Sequence, residues 1–162
     1  MSKVIYELGD DISTDIIYPG RFMATVLPTE TPQFAFVDLK DLNKMLVNKE
    51  VPEGSVILAA KNFGCGSSRE QAVSTLKGHN VIVIAKNFAR IFMQNSVNLG
   101  LQTVVCPTIE AKVGNELEFI GNKVINKTSG KSFDTIPHHP AQQAIIDAGG
   151  LIAYTRKKLM EM

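Results

Sequence analysis

Three short apolar runs dominate the middle of the chain. They are 56-VILAA-60, 81-VIVIA-85 and 101-LQTVVC-106. The first two, continuous and rich in β-branched residues, predict strands covered on both faces, and the third predicts a further strand. Between them, residues 68–77 and 89–99 read as helices, stopped by Gly78 and Gly100. Pro107 ends the third run. Strand, helix, strand, helix, strand at this spacing predicts parallel strands joined by right-handed crossovers.

The flanks follow other rules. Residues 4–6 read as a short strand. They lead into 9-GDDISTDIIYPGRF-22, where turn residues mix with Ile12, Ile16 and Ile17. That mixture predicts a loop packed down on the body. Residues 23–40, broken by Pro28 and Pro32, read as a long mobile loop before a short helix over 41–47. After the third strand, 116–120 and 123–126 flank Gly121-Asn122, a hairpin turn. Ser129-Gly130 marks another turn before 131-KSFDTI-136. Pro140 opens a helix that ends on Gly149-Gly150, and residues 151–160 form a last one. The expectation is one α/β domain over residues 1–162, a parallel βαβαβ core with an added antiparallel part.

A chain of 162 residues is long enough for a real core. Its formal net charge of +1 argues against a nucleic-acid or membrane surface, and no run reaches bilayer length. The N-terminal MSKVIYELGDD lacks the apolar segment and cleavage site of a signal peptide. Cys65 and Cys106 make neither a disulfide framework nor a zinc spacing, so no metal is expected on this chain. A reduced, cytoplasmic protein is expected.

The candidate chemistry lies in 62-NFGCGSSREQA-72. Ser67 and Glu70 have capping-box spacing, so a plain turn into a capped helix explains much of it. Three features favour an anion site instead. The turn follows a buried strand, at the end of a parallel sheet where ligands bind. A helix start offers backbone N–H groups to an anion. Arg69 sits in the first turn, unfavourably for the helix dipole, and its planar fork fits a carboxylate. Ser67 acts as a base only as an alkoxide stabilised by dipoles and a cation. His79, His138 and His139 read as turn or surface residues, and neither a G-x-S-x-G elbow nor a Walker A loop occurs. Cys65 has two readings, a thiol activated at a helix start or a small residue filling a turn. Cys106 reads as core.

The pair 9-GDDISTDIIYPGRF-22 and 62-NFGCGSSREQA-72, followed by 86-KNFARIFMQNSVNLGL-101, strongly resembles the small subunits of isopropylmalate isomerases, in the aconitase superfamily. The resemblance covers nearly the whole chain. It implies the swivelling β/β/α domain that closes over a large catalytic subunit. That partner holds a 4Fe-4S cluster on three cysteines, whose open iron takes the substrate hydroxyl as a Lewis acid. Two separated cysteines cannot hold such a cluster here. Under the resemblance, Ser67 removes the carbon-bound proton, and Ser68 and Arg69 bind carboxylate beside Gly66. Asp15 lies near the catalytic groups, Glu70 ties the helix end, and Arg90 braces the site. Cys65 loses its catalytic reading. The reaction implied is interconversion of 2- and 3-isopropylmalate in leucine biosynthesis; self-association of the small subunit stays open beside pairing with the large one.

The resemblance also assigns specificity to the loop 22–39. Relatives read Tyr-Leu-Arg-Thr there in homoaconitase-like subunits and Tyr-Leu-Val-Tyr in isopropylmalate types. This chain has Phe22, Met23, Ala24 and Thr25. Without an arginine, an alkyl group is favoured over a distal carboxylate. Dimethylmalate dehydratase, citraconate hydratase and homoaconitase subunits remain alternatives, as does a non-catalytic assembly subunit.

Overall fold

In the computed structural model, which describes residues 2–162, the apolar runs pair into a seven-stranded sheet of order β4-β3-β2-β1-β5-β6-β7. Four strands are mutually parallel: β1 Ser2–Glu7, β2 Val56–Leu58, β3 Ile82–Ala85 and β4 Thr103–Val105. β5 Glu116–Ile120, β6 Lys123–Asn126 and β7 Lys131–Asp134 add an antiparallel meander beside β1. The Gly121-Asn122 hairpin and both of its strands fall where the sequence places them.

The meander does more than extend the sheet. Just beyond β7, Ile136 bridges back to Val105 of β4, its N–H donating to the Val105 carbonyl at 2.8 Å. The two edges meet, so the sheet rolls up and leaves little open edge. Alternation along each strand then feeds two cores. Val4, Val56, Leu58, Ile84, Leu117, Val124 and Phe133 share one core with Cys106. Ile5, Ile57, Val83 and Ala85 face the helices and pack with Leu42, Leu46, Val73, Leu76 and Phe92. This is why the runs 56–60 and 81–85 show no polar face.

The helices are α1 Thr14–Ile17, α2 Lys40–Val47, α3 Glu70–Lys77, α4 Arg90–Leu99, α5 Pro140–Asp147 and α6 Leu151–Met160. α3 and α4 are the crossovers of the parallel part. No helix among the described residues is long and apolar enough to cross a membrane.

Two expectations change. Residues 9–22 are not only loop, since α1 and a 3-10 turn at Gly20–Phe22 lie within them. Residues 23–40 divide in two. Residues 23–30 are mostly exposed, whereas Thr31–Phe34 form a 3-10 turn with Thr31, Ala35 and Phe36 buried. Polar pairs pin this second half to α3. Thr75 Oγ1 donates to the Thr31 carbonyl at 2.6 Å, and the His79 ring meets the Pro32 carbonyl at 2.7 Å. The sequence hid this because the anchors are side-chain contacts more than forty residues apart. His139 also has a role the sequence reading missed: it caps α5, its Nδ1 accepting from the Ala141 N–H at 3.1 Å.

Candidate active site

β1, β2 and β3 end on the same side, and their loops stay paired beyond the strands. Leu8 N–H donates to Leu58 O, Asp11 N–H to Lys61 O, Gly64 N–H to Ile12 O, and Thr14 N–H to Cys65 O, all between 2.7 and 2.8 Å. On the other side Ala89 N–H donates to Phe63 O at 2.9 Å. This zipper brings residues 13–15, 65–69 and 88–90 together, although more than seventy positions separate them in sequence. Two glycines make it feasible. Gly64 has φ +85°, and a Cβ there would sit 2.2–2.6 Å from the Phe92 ring. Gly66 has φ +97° with nothing closer than the Thr14 hydroxyl at 3.5 Å. The first needs glycine for space and for φ; the second for φ alone.

Ser67 does not cap α3. The residue at the cap position is Arg69, and no side chain closes the helix start. The capping box expected from Ser67 and Glu70 is therefore not formed, and Glu70 does not tie the helix end. Instead Ser67 Oγ lies 3.2 Å from Thr14 Oγ1, whose hydroxyl also reaches the Ser67 carbonyl at 3.0 Å. Both Ser67 and Ser68 are exposed. Among the described residues, the backbone N–H groups from Ser67 through Gln71 donate to no protein acceptor. A turn with five free donors, serine hydroxyls and a guanidinium is suited to hold an oxyanion.

Arg69 reaches back to α1. Its Nη1 donates to Asp15 Oδ1 at 2.7 Å and to the Tyr18 carbonyl at 3.2 Å. The Gly20 N–H donates to the same Asp15 oxygen at 2.9 Å. The Arg69 hydrogen bond and then the Gly20 amide hold the Asp15 carboxyl below its usual range. Asp15, ionised at neutral pH as any free aspartate is, therefore keeps its charge further into acid. Arg69 Nε and Nη2 make no hydrogen bond among the described residues, so an edge of the fork remains for a second carboxylate. A Cβ on Gly20 would stand 3.1 Å from Nη2, so the bare glycine leaves the guanidinium its room.

The loop 22–39 is clamped at its root. The buried Tyr18 hydroxyl faces the carbonyls of Phe22 and Thr25 at 2.9 and 3.2 Å. Phe22 stacks on Phe34 with ring centroids 4.1 Å apart. Arg21, immediately before the loop, forks onto Asp38 at 2.5 and 3.0 Å and lies over the Phe22 ring. Ala24 is exposed, and Thr25 half-buried. Arg90 differs from its expected bracing role. It is exposed at the first turn of α4 and makes no hydrogen bond or ion pair among the described residues. Cys65 is half-buried and serves through its carbonyl, which pairs with Thr14. Burial pushes the Cys106 thiol up, as suits a core cysteine. Thr14 and Tyr18 are the residues sequence reading passed over. Each adjoins a recognised motif, but only the paired loops show what its hydroxyl touches.

A rolled α/β body with a serine–arginine turn at the ends of its parallel strands matches a known family of domains. Residues 12–108 match the Aconitase C-terminal domain family. The chain belongs to that family, in its branch of hydro-lyase small subunits represented by 3-isopropylmalate dehydratase. It is 41% identical over 160 residues to the 3-isopropylmalate dehydratase small subunit of Methanosarcina mazei, covering 96% of each chain. It is 38% identical over 156 residues to the homoaconitase small subunit of Methanocaldococcus jannaschii, covering 94% of this chain and 89% of that one. The crystal structure of 3-isopropylmalate dehydratase from Methanocaldococcus jannaschii superposes with a TM-score of 0.85 at 35% identity, covering 98% of this chain and 94% of that one.

Proposed function

We propose that this chain is the small subunit of a cytoplasmic isopropylmalate isomerase of leucine biosynthesis, working in a heteromer with a large subunit. The observation that carries the reading is the convergence of an exposed Ser67 hydroxyl, a run of free backbone N–H groups and the half-used fork of Arg69 at one place. Ser67 takes the carbon-bound proton of the substrate. Arg69, Ser68 and the amides around Gly66 hold a substrate carboxylate, while Asp15 aims the guanidinium.

A 4Fe-4S cluster does not fit on this chain. Among the described residues no group of three or more His, Cys, Asp or Glu is placed to hold a metal. Cys106 is buried inside the rolled sheet, whereas Cys65 is half-buried in the turn before Ser67. We assign the cluster to the large subunit. Met23, Val26 and Leu27 form an exposed apolar stretch beside the site, which suits contact with such a partner.

An alkyl malate is favoured over a homocitrate-type substrate because the loop offers no free guanidinium. Arg21 is committed to Asp38, and Ala24 ends in a methyl group. The test compares kcat/KM for isopropylmalate and homocitrate-type substrates, wild type against Ala24→Arg, with the same large subunit. The arginine should shift the ratio towards the carboxylate substrate by roughly tenfold or more, since closure of the complex over an alkyl group would bury the guanidinium, exposed in this chain alone, without a partner. An unmoved ratio would show that this loop does not choose the substrate. The isolated small subunit should show no turnover, and robust activity without the partner would refute the two-subunit reading.

A further inference from the structure

Thr14 is only 2% exposed, yet its hydroxyl has two oxygens of one neighbour within reach. The Ser67 carbonyl lies at 3.0 Å and Ser67 Oγ at 3.2 Å. A threonine hydroxyl has one hydrogen and two lone pairs. Shielded from water, Thr14 must give that hydrogen to one of the two. While Ser67 is neutral, the hydrogen goes to the carbonyl, which can only accept. The Ser67 hydroxyl then donates to Thr14 Oγ1, and its own lone pairs are left facing the open side of the turn.

The arrangement changes when Ser67 loses its proton. An alkoxide can only accept, and a hydrogen bond to an ionised group is roughly twice as strong as one between neutral groups. Turning the Thr14 hydroxyl about one torsion moves its hydrogen from the carbonyl to Ser67 Oγ. No heavy atom has to move. The Thr14 backbone is itself pinned, its N–H bonded to the Cys65 carbonyl at 2.8 Å.

We propose that Thr14 is a positioning residue that holds the Ser67 side chain in place and switches its hydroxyl hydrogen onto the Ser67 alkoxide. The proposal rests on the reading of Ser67 as the base. The proton of Ser67 first leaves to solvent, to which its side chain is exposed. In the abstraction step the substrate C–H bond breaks and its electron pair stays with the substrate. The proton forms the new O–H bond on Ser67 Oγ, and the Thr14 hydrogen returns to the carbonyl.

The test uses the complex with the cluster-bearing large subunit and four small-subunit variants: Thr14→Val, Thr14→Ser, Ser67→Ala and the Thr14→Val/Ser67→Ala double variant. Thr14→Val should lower kcat by about a hundredfold or more, the scale of a lost oxyanion donor. KM should change by less than about threefold, since the lost interaction belongs to the transition state. The rise of kcat with pH should move upward by about one pH unit or more, as each tenfold loss of alkoxide stabilisation raises the pKa by one. Thr14→Ser should keep kcat within about threefold, because it retains the donor. On the Ser67→Ala background, Thr14→Val should add nothing. If Ser67→Ala is crippled while Thr14→Val keeps wild-type kcat, the proposal is overturned and the serine base stands. If Ser67→Ala turns over normally, the base reading itself fails. Equal losses in Thr14→Ser and Thr14→Val, or a further loss on the Ser67→Ala background, also overturn the proposal. Should Thr14→Val not fold, Thr14→Ala against Thr14→Ser carries the same comparison.

Discussion

Gly64 and Gly66 flank the same thiol, but the structure gives their replacement by alanine different costs. Both have positive φ, at +85° and +97°. An L-residue forced into left-handed backbone costs roughly 1–2 kcal/mol. For Gly66→Ala that is the main expense, because the new methyl meets only ordinary contacts at 3.5 Å and beyond. For Gly64→Ala the methyl would stand 2.2–2.6 Å from three atoms of Phe92. Phe92 is itself buried and packs edge-on against Phe63 at 5.2 Å, so it cannot swing clear. Overpacking of this kind adds roughly 1–3 kcal/mol. The total for Gly64→Ala is then about 2–5 kcal/mol, against about 1–2 for Gly66→Ala. Urea titrations of both variants and wild type, analysed at equal m-values, measure the gap. Equal losses, or a Gly66→Ala more damaging than Gly64→Ala, would refute the claim that Phe92 dictates the glycine at 64.

Two further outcomes follow from named contacts. Arg69→Lys keeps the charge but loses the fork, so kcat/KM in the complex should fall by roughly tenfold or more; wild-type kinetics would mean that Arg69 clamps no carboxylate. Burial holds the His79 ring below its ordinary pKa of 6.5, against the raising effect of its bond to Pro32. Its stabilising effect is therefore fully present above about pH 6.5 and is lost as pH falls through the lower native value. Melting temperatures at pH 7.5 and 5.5 should differ less in His79→Gln than in wild type, and an unchanged difference would show that His79 does not drive it.

How much of this could be read from the sequence depends on the range of the forces involved. The runs 56–60 and 81–85 announced their strands because β-branched residues buried or half-buried along the whole run leave no polar periodicity, while 101–106, with Gln102 exposed and Val104 and Val105 half-buried, was legible from its β-branched residues. The hairpin at Gly121-Asn122 was equally legible, since two residues set the turn. Rolling of the sheet was not, because its closure is one bridge, Val105 to Ile136, between residues of unremarkable type. In the site, Asp15, Ser67 and Arg69 were named from their motifs, and the structure brings the three together. The role of Ser67 in the fold was misjudged. The S-x-x-E spacing is local and fits a cap, but the helix starts two residues later and Thr14 claims the hydroxyl. Arg90 was expected to brace the site, yet it is left without a protein partner among the described residues, since motif membership says nothing of where a long side chain ends.

The central claim is that Ser67 removes a proton from the substrate, and Ser67→Ala assayed in the assembled complex tests it most directly. Since Ser67 caps no helix, truncation should cost only a hydrogen bond, roughly 1 kcal/mol of stability, with subunit assembly unchanged. Turnover should nevertheless fall by about a hundredfold or more, the scale of a lost general base, while KM changes little. Turnover within a few-fold of wild type in a correctly assembled complex would contradict the account.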